Sequence, residues 1–64
     1  METFKVVVEI RNERTGELRK ESHYIEANHW EESRVKAYDK VRSNIEGYEL
    51  IMQVYVEEGE SPWN

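Results

Sequence analysis

The sequence predicts an α+β domain: a three-stranded antiparallel sheet, order 2-1-3, with one helix packed on one face and chain order ββαβ. Three observations predict it. Residues 3–11 and 17–27 alternate in polarity around a segment rich in turn formers, the stretch after Asn28 changes to a helical period, and residues 48–57 return to period two. Period two places alternate side chains on opposite faces of a strand, whereas a 3.6-residue period gathers them into one stripe.

In the first strand Phe4, Val6, Val8 and Ile10 fall on one side, and Thr3, Lys5, Val7, Glu9 and Arg11 on the other. The next residues, 12–17, include Asn12 and Gly16. Both types tolerate the positive φ of tight turns, so a hairpin is the economical connection. The second strand points Ile25 and Ala27 one way and Lys20, Ser22 and Tyr24 the other. Its Arg19-Lys20-Glu21 run suits a sheet edge, where charge discourages pairing with another chain.

Asn28 is the expected N-cap, with Glu31 as the capping-box carboxylate. Trp30, Arg34, Ala37, Tyr38, Val41 and Ile45 form the inward stripe, the Arg34 stem covering apolar surface. Glu32 and Lys36 are spaced for an i,i+4 ion pair, and Gly47 is expected to end the helical region. The last strand divides into Tyr48, Leu50, Met52, Val54 and Val56 on one face and Glu49, Ile51, Gln53, Tyr55 and Glu57 on the other. Residues 1–57 form the domain, and 58–64 a short acidic tail.

A right-handed crossover through the helix makes the second and third strands parallel. Placing the Val6-Val7-Val8 strand between them makes every neighbouring pair antiparallel. The helix then covers Phe4, Val6, Val8, Ile10, Ile25, Leu50, Met52, Val54 and Val56. The open face gathers Val7, Leu18, Tyr24, Ile51 and Tyr55 among Lys5, Glu9, Lys20, Glu26, Glu49 and Gln53. Aromatic residues ringed by polar ones resemble an interface, so Val7, Leu18, Tyr24, Ile51 and Tyr55 are the expected partner contacts, with Glu49 and Glu57 at the rim. A homodimer formed through this face is the alternative, and Trp63 folding back over it is a third reading.

Composition narrows the function classes. A 64-residue chain buries only roughly 60% of its unfolded surface, and such thin cores commonly rely on disulfides, metals or partners. There is no cysteine, which excludes disulfides and thiolate zinc sites and fits a reducing cytoplasm. Fourteen acidic against nine basic residues, a net charge of −5, argue against direct phosphate-backbone binding. Acidic residues could instead imitate phosphates, but the interleaved Lys and Arg weaken that reading. No apolar run reaches the ~20 residues of a membrane span, and the N-terminal residues lack a signal-peptide pattern. His23, Glu26 and His29 around one strand–helix junction match no closed zinc spacing, so neither metal nor cofactor is expected. No serine has an evident His/Asp arrangement, and Gly16, Gly47 and Gly59 are isolated rather than joined in a phosphate loop. A non-enzymatic binding protein is the expectation.

The segments Phe4-Lys5-Val6-Val7-Val8-Glu9, Tyr24-Ile25-Glu26-Ala27 before the helix, and Gly47-Tyr48-Glu49-Leu50 opening the last strand resemble small bacteriophage host-takeover inhibitors. The resemblance spans about residues 4–56. It implies a cytoplasmic, phage-encoded protein that binds and disables a host protein, including host proteins that themselves bind nucleic acid. Inhibitors of this kind that act on bacterial RNA polymerase carry arginines on the last strand. Residues 48–57 contain no basic residue, so that target and its contact residues are not carried over.

Overall fold

A computed structural model of the chain describes residues 1–57. Strand β1 (Glu2–Asn12) is followed by β2 (Leu18–Ala27), helix α1 (Trp30–Arg42) and β3 (Glu49–Glu57). The sheet order is β2-β1-β3 with both neighbouring pairs antiparallel, as the hairpin and the crossover require. Helix and sheet form two layers.

The hairpin loop is fixed by Asn12 and Gly16. The Asn12 side-chain oxygen accepts the backbone N–H groups of Arg14 (2.8 Å) and Thr15 (3.2 Å). Its carbonyl accepts the Gly16 N–H at 2.6 Å, and its own N–H donates to Glu17 O at 2.8 Å. Gly16 sits at φ +80°, the left-handed region that a Cβ disfavours.

The core lies between α1 and the sheet. Val6, Val8 and Ile10 are fully buried on the central strand, with Ile25, Ala37 and Val41 around them. Phe4, Ile45, Ile51, Val54 and Val56 pack against this cluster from its margins. The helix touches the sheet along Ser33, Ala37 and Val41 rather than along its largest apolar residues. Small side chains at Ser33 and Ala37 let the backbone lie close over the sheet, which turns Trp30 and Tyr38 toward the flanks, where both are exposed. The buried Ser33 hydroxyl donates to Trp30 O at 2.6 Å, satisfying the polar group that burial would otherwise penalise.

Five local expectations change. The N-cap is His29, one residue later than Asn28, and its side chain makes no capping bond. Glu32 rather than Glu31 reaches back, accepting the Asn28 N–H at 2.7 Å. That bond holds the Glu32 carboxyl below the usual range, helped by the nearby Lys36 charge. Lys36 donates instead to Glu26 O at 2.9 Å, tying the helix to the end of β2. The helix ends at Arg42, before Gly47. Ser43 Oγ donates to Asp39 O and Asn44 Nδ2 to Lys40 O, so side chains satisfy the terminal carbonyls. Arg34 is exposed and its guanidinium lies 5.8 Å from the Trp30 ring centre, a cation–π approach rather than a stem over core.

The largest correction concerns β3. Glu9 pairs with Gln53 but Ile10 pairs with Ile51, so Met52 is an extra residue opposite β1. A β-bulge of this kind inverts the alternation on one side of it. Ile51 therefore faces the helix with Ile10, and Leu50 shares the open face with Arg11. Leu50 and Met52, expected in the core, are both half exposed.

Candidate functional site

Strand registers arrange the open face in four rows, read from β2 across β1 to β3. They are Tyr24–Lys5–Glu57, Ser22–Val7–Tyr55, Lys20–Glu9–Gln53 and Leu18–Arg11–Leu50. Each row joins residues directly opposite one another, which makes their side chains neighbours on the face.

In the first row Lys5 Nζ meets Glu57 Oε1 at 3.2 Å. The hydrogen bond and charge of Glu57 raise the Lys5 pKa above its ordinary value, with a smaller contribution from Tyr24. Tyr24 is 69% exposed beside this pair. In the second row Val7 is only 4% exposed although it lies opposite the helix. Ser22 and half-buried Tyr55 flank it, and Lys5 and Glu9 precede and follow it on its own face. Val7 is thus the floor of the face, not an available contact. The third row is polar, Lys20 and Glu9 approaching to 4.0 Å. The fourth row places Leu18, 59% exposed, and Leu50, 49% exposed, on either side of Arg11.

The structure therefore brings together Tyr24, Tyr55 and Glu57 at one end and Leu18 at the other, over Val7. It does not place Ile51 or Glu49 among them. Ile51 packs toward the core. Glu49 pairs with Asn12 and is 8% exposed on the helix side of the sheet. There it accepts a hydrogen bond from the Arg19 guanidinium and, at 2.9 Å, the Glu46 N–H. These bonds, the first above all, hold its carboxyl below the usual range, while Glu49 and then Glu21 raise the Arg19 pKa above its ordinary value. Glu49 is a structural clasp between β2 and the entrance to β3. Leu50 takes the place that alternation assigned to Ile51.

A second surface was not anticipated. Between α1 and the outer side of β3 runs a groove of ≈ 530 Å³ lined by Glu31, Arg34, Val35, Tyr38, Ile51, Met52, Gln53 and Val54. Val35 is 61% exposed. Its apolar side chain outside the expected helical stripe was the one sequence signal for this groove.

The two histidines have different acidic neighbours, and the sheet lies between His23 and Glu26. His23 faces the helix layer and contacts Glu21 at 3.2 Å, whereas Glu26 points to the open face opposite Thr3. His29 approaches Glu31 at 4.0 Å. Among the described residues no three His, Asp or Glu side chains converge as a metal-binding group. Among them, too, no helix is long and apolar enough to cross a membrane. Trp63 and the acidic tail 58–64 lie outside the described residues.

Comparison with known proteins returned no match to a family model, a curated protein or a solved structure.

Proposed function

We propose that this chain is a small, non-enzymatic protein-binding domain that engages its partner through the open face of the sheet. The observation that carries the reading is the pairing of exposed anchors with charge on one face of the sheet. Tyr24 stands beside the Lys5–Glu57 ion pair, and Leu18 and Leu50 flank Arg11. Aromatic and aliphatic side chains surrounded by a polar rim match the composition of protein interfaces, where a few large residues supply most of the binding energy. Burial of Val7 by its neighbours stiffens the floor on which those anchors stand. The net charge of −5 favours a basic surface on the partner.

The likeness to small phage inhibitors supplies the partner class: a host protein of a bacterium, disabled by occupation of its surface. Phosphate imitation is the weaker version of this reading. Glu9, Glu21, Glu49 and Glu57 each sit against Lys20, Arg19 or Lys5, which cancels much of the negative field.

The test is capture from a bacterial lysate with the wild-type chain, with Tyr24→Ala and with Leu50→Glu, followed by titration of the captured protein. The expected result is one specific partner whose affinity both substitutions reduce by tenfold or more, with melting temperatures within a few degrees of wild type. Capture indifferent to both substitutions would overturn the assignment of the face.

A further inference from the structure

The two edges of the sheet differ in kind. On β2 the outward edge carries Arg19, Lys20, Glu21 and Glu26, charges that discourage another strand from joining. On β3 the run from Leu50 to Val56 contains no charged residue at all. Among the described residues β3 pairs only with β1, so its outer backbone groups have no strand partner. The apolar groove containing Val35, Tyr38 and Met52 lies directly beside this edge.

We infer that β3 is a self-association edge, at which two copies of the chain pair antiparallel about a two-fold axis into a continuous six-stranded sheet. Three arguments select a second copy as the occupant. First, like edges joined by a two-fold axis run antiparallel and close on themselves. The resulting order β2-β1-β3-β3-β1-β2 consumes both charge-free β3 edges, whose one irregularity is the bulge at Met52, and leaves only charged β2 edges outside. A heterologous strand would give no such closure. Second, antiparallel pairing centred on β3 sets the uncharged Leu50–Val56 runs of the two copies opposite one another. It brings Glu49 of one copy near Glu57 of the other only at the two ends, where Arg19 and Lys5 already pair with them.

Third, the geometry covers the groove. An axis perpendicular to the sheet puts both helices on the same face, so Val35, Tyr38 and Met52 of each copy are covered by the layer of the other. Nine residues of β3 at ~3.3 Å each give an edge roughly 30 Å long. With a helix ~10 Å thick over the strand layer, the covered side is about 20 Å deep. The contact is then on the order of 600 Å² per copy, or ~1,200 Å² in total, where stable interfaces begin. Pairing would also relieve the thin core of so short a chain.

The contact is separate from the open face assigned above to a partner, and the two can fail independently. Sedimentation velocity of the full chain over a wide concentration range reads the first, with Met52→Lys and Gln53→Lys as edge variants and Ser22→Lys on β2 as control. All three positions are exposed, so far-UV circular dichroism should stay unchanged. The expected result is a species of twice the 7.7 kDa chain mass for wild type and Ser22→Lys, and the monomer for both edge variants. A wild-type chain that stays monomeric at millimolar concentration, as it would if residues 58–64 covered β3 themselves, would overturn the inference. Edge variants that remain dimeric would overturn it as well, by placing the contact on another surface. Tyr24→Ala should leave the dimer intact while weakening partner capture.

Discussion

Exchanging alanine for Leu50 and for Ile51, one at a time, measures the bulge at Met52. If β3 alternated regularly from Tyr48 to Glu57, Leu50 would be in the core and Ile51 on the open face. The ladder instead sets Ile51 beside fully buried Ile10, against the hydrophobic cluster, and leaves Leu50 half exposed beside Arg11. A fully buried Ile→Ala change costs ~2–5 kcal/mol including the cavity left behind. Ile51 is partly buried at the margin of the core, which places it at the low end, about 2 kcal/mol. Leu50 leaves no enclosed cavity when truncated and loses only partial burial, less than ~1 kcal/mol. At ~4–8 °C per kcal/mol for a domain of this size, Ile51→Ala should lower the melting temperature by roughly 10 °C and Leu50→Ala by a few degrees. Thermal denaturation followed by circular dichroism, at one fixed protein concentration, reads both. Equal losses, or the larger loss at Leu50, would refute the bulge and restore simple alternation.

Gly16→Ala should lower stability by about 1 kcal/mol, because the residue holds φ +80° while no atom lies within 4 Å of an added Cβ. The cost is therefore conformational rather than steric, and an unchanged melting temperature would show that the loop had relaxed into another turn. Glu49 makes stability depend on pH. Its folded pKa is depressed by the Arg19 guanidinium and then by the Glu46 N–H. The stability it contributes is thus complete above the ordinary value of 4.5 and disappears as pH falls through the lower folded value. Glu49→Gln should melt below wild type near neutral pH and converge with it in acid. Parallel curves across the carboxylate range would dismiss the clasp.

The fold class was legible because its signals are redundant. The alternation of residues 3–11, the Asn12 and Gly16 turn, and the switch to helical period after Asn28 all favour one arrangement, and the central place of Val6-Val7-Val8 follows from their apolarity. The bulge was not legible, because Leu50, Ile51 and Met52 are all apolar and either parity satisfies the pattern. Only pairing with β1 decides between them. The helix face was misread for a related reason. Size and apolarity favoured Trp30 and Tyr38, whereas packing selected the small Ser33 and Ala37 that permit close approach. Val7 broke the polar face in sequence, and in the fold its central position hides it. The site therefore moved by one residue, from Ile51 to Leu50, and a groove emerged that one-strand patterns do not contain.

The hairpin loop is joined to the start of β3 at two points: Glu13 N–H donates to Tyr48 O at 2.9 Å, and the Arg14 guanidinium stacks 4.2 Å from the Tyr48 ring centre. Exposed loop tips are ordinarily where proteases nick a small domain. A trypsin-like enzyme must place Arg14 in its own specificity pocket, which requires lifting that side chain from Tyr48. The rate at which trypsin cuts after Arg14, compared between wild type and Tyr48→Ala, therefore reports how firmly the ring holds the loop tip against the entrance to β3.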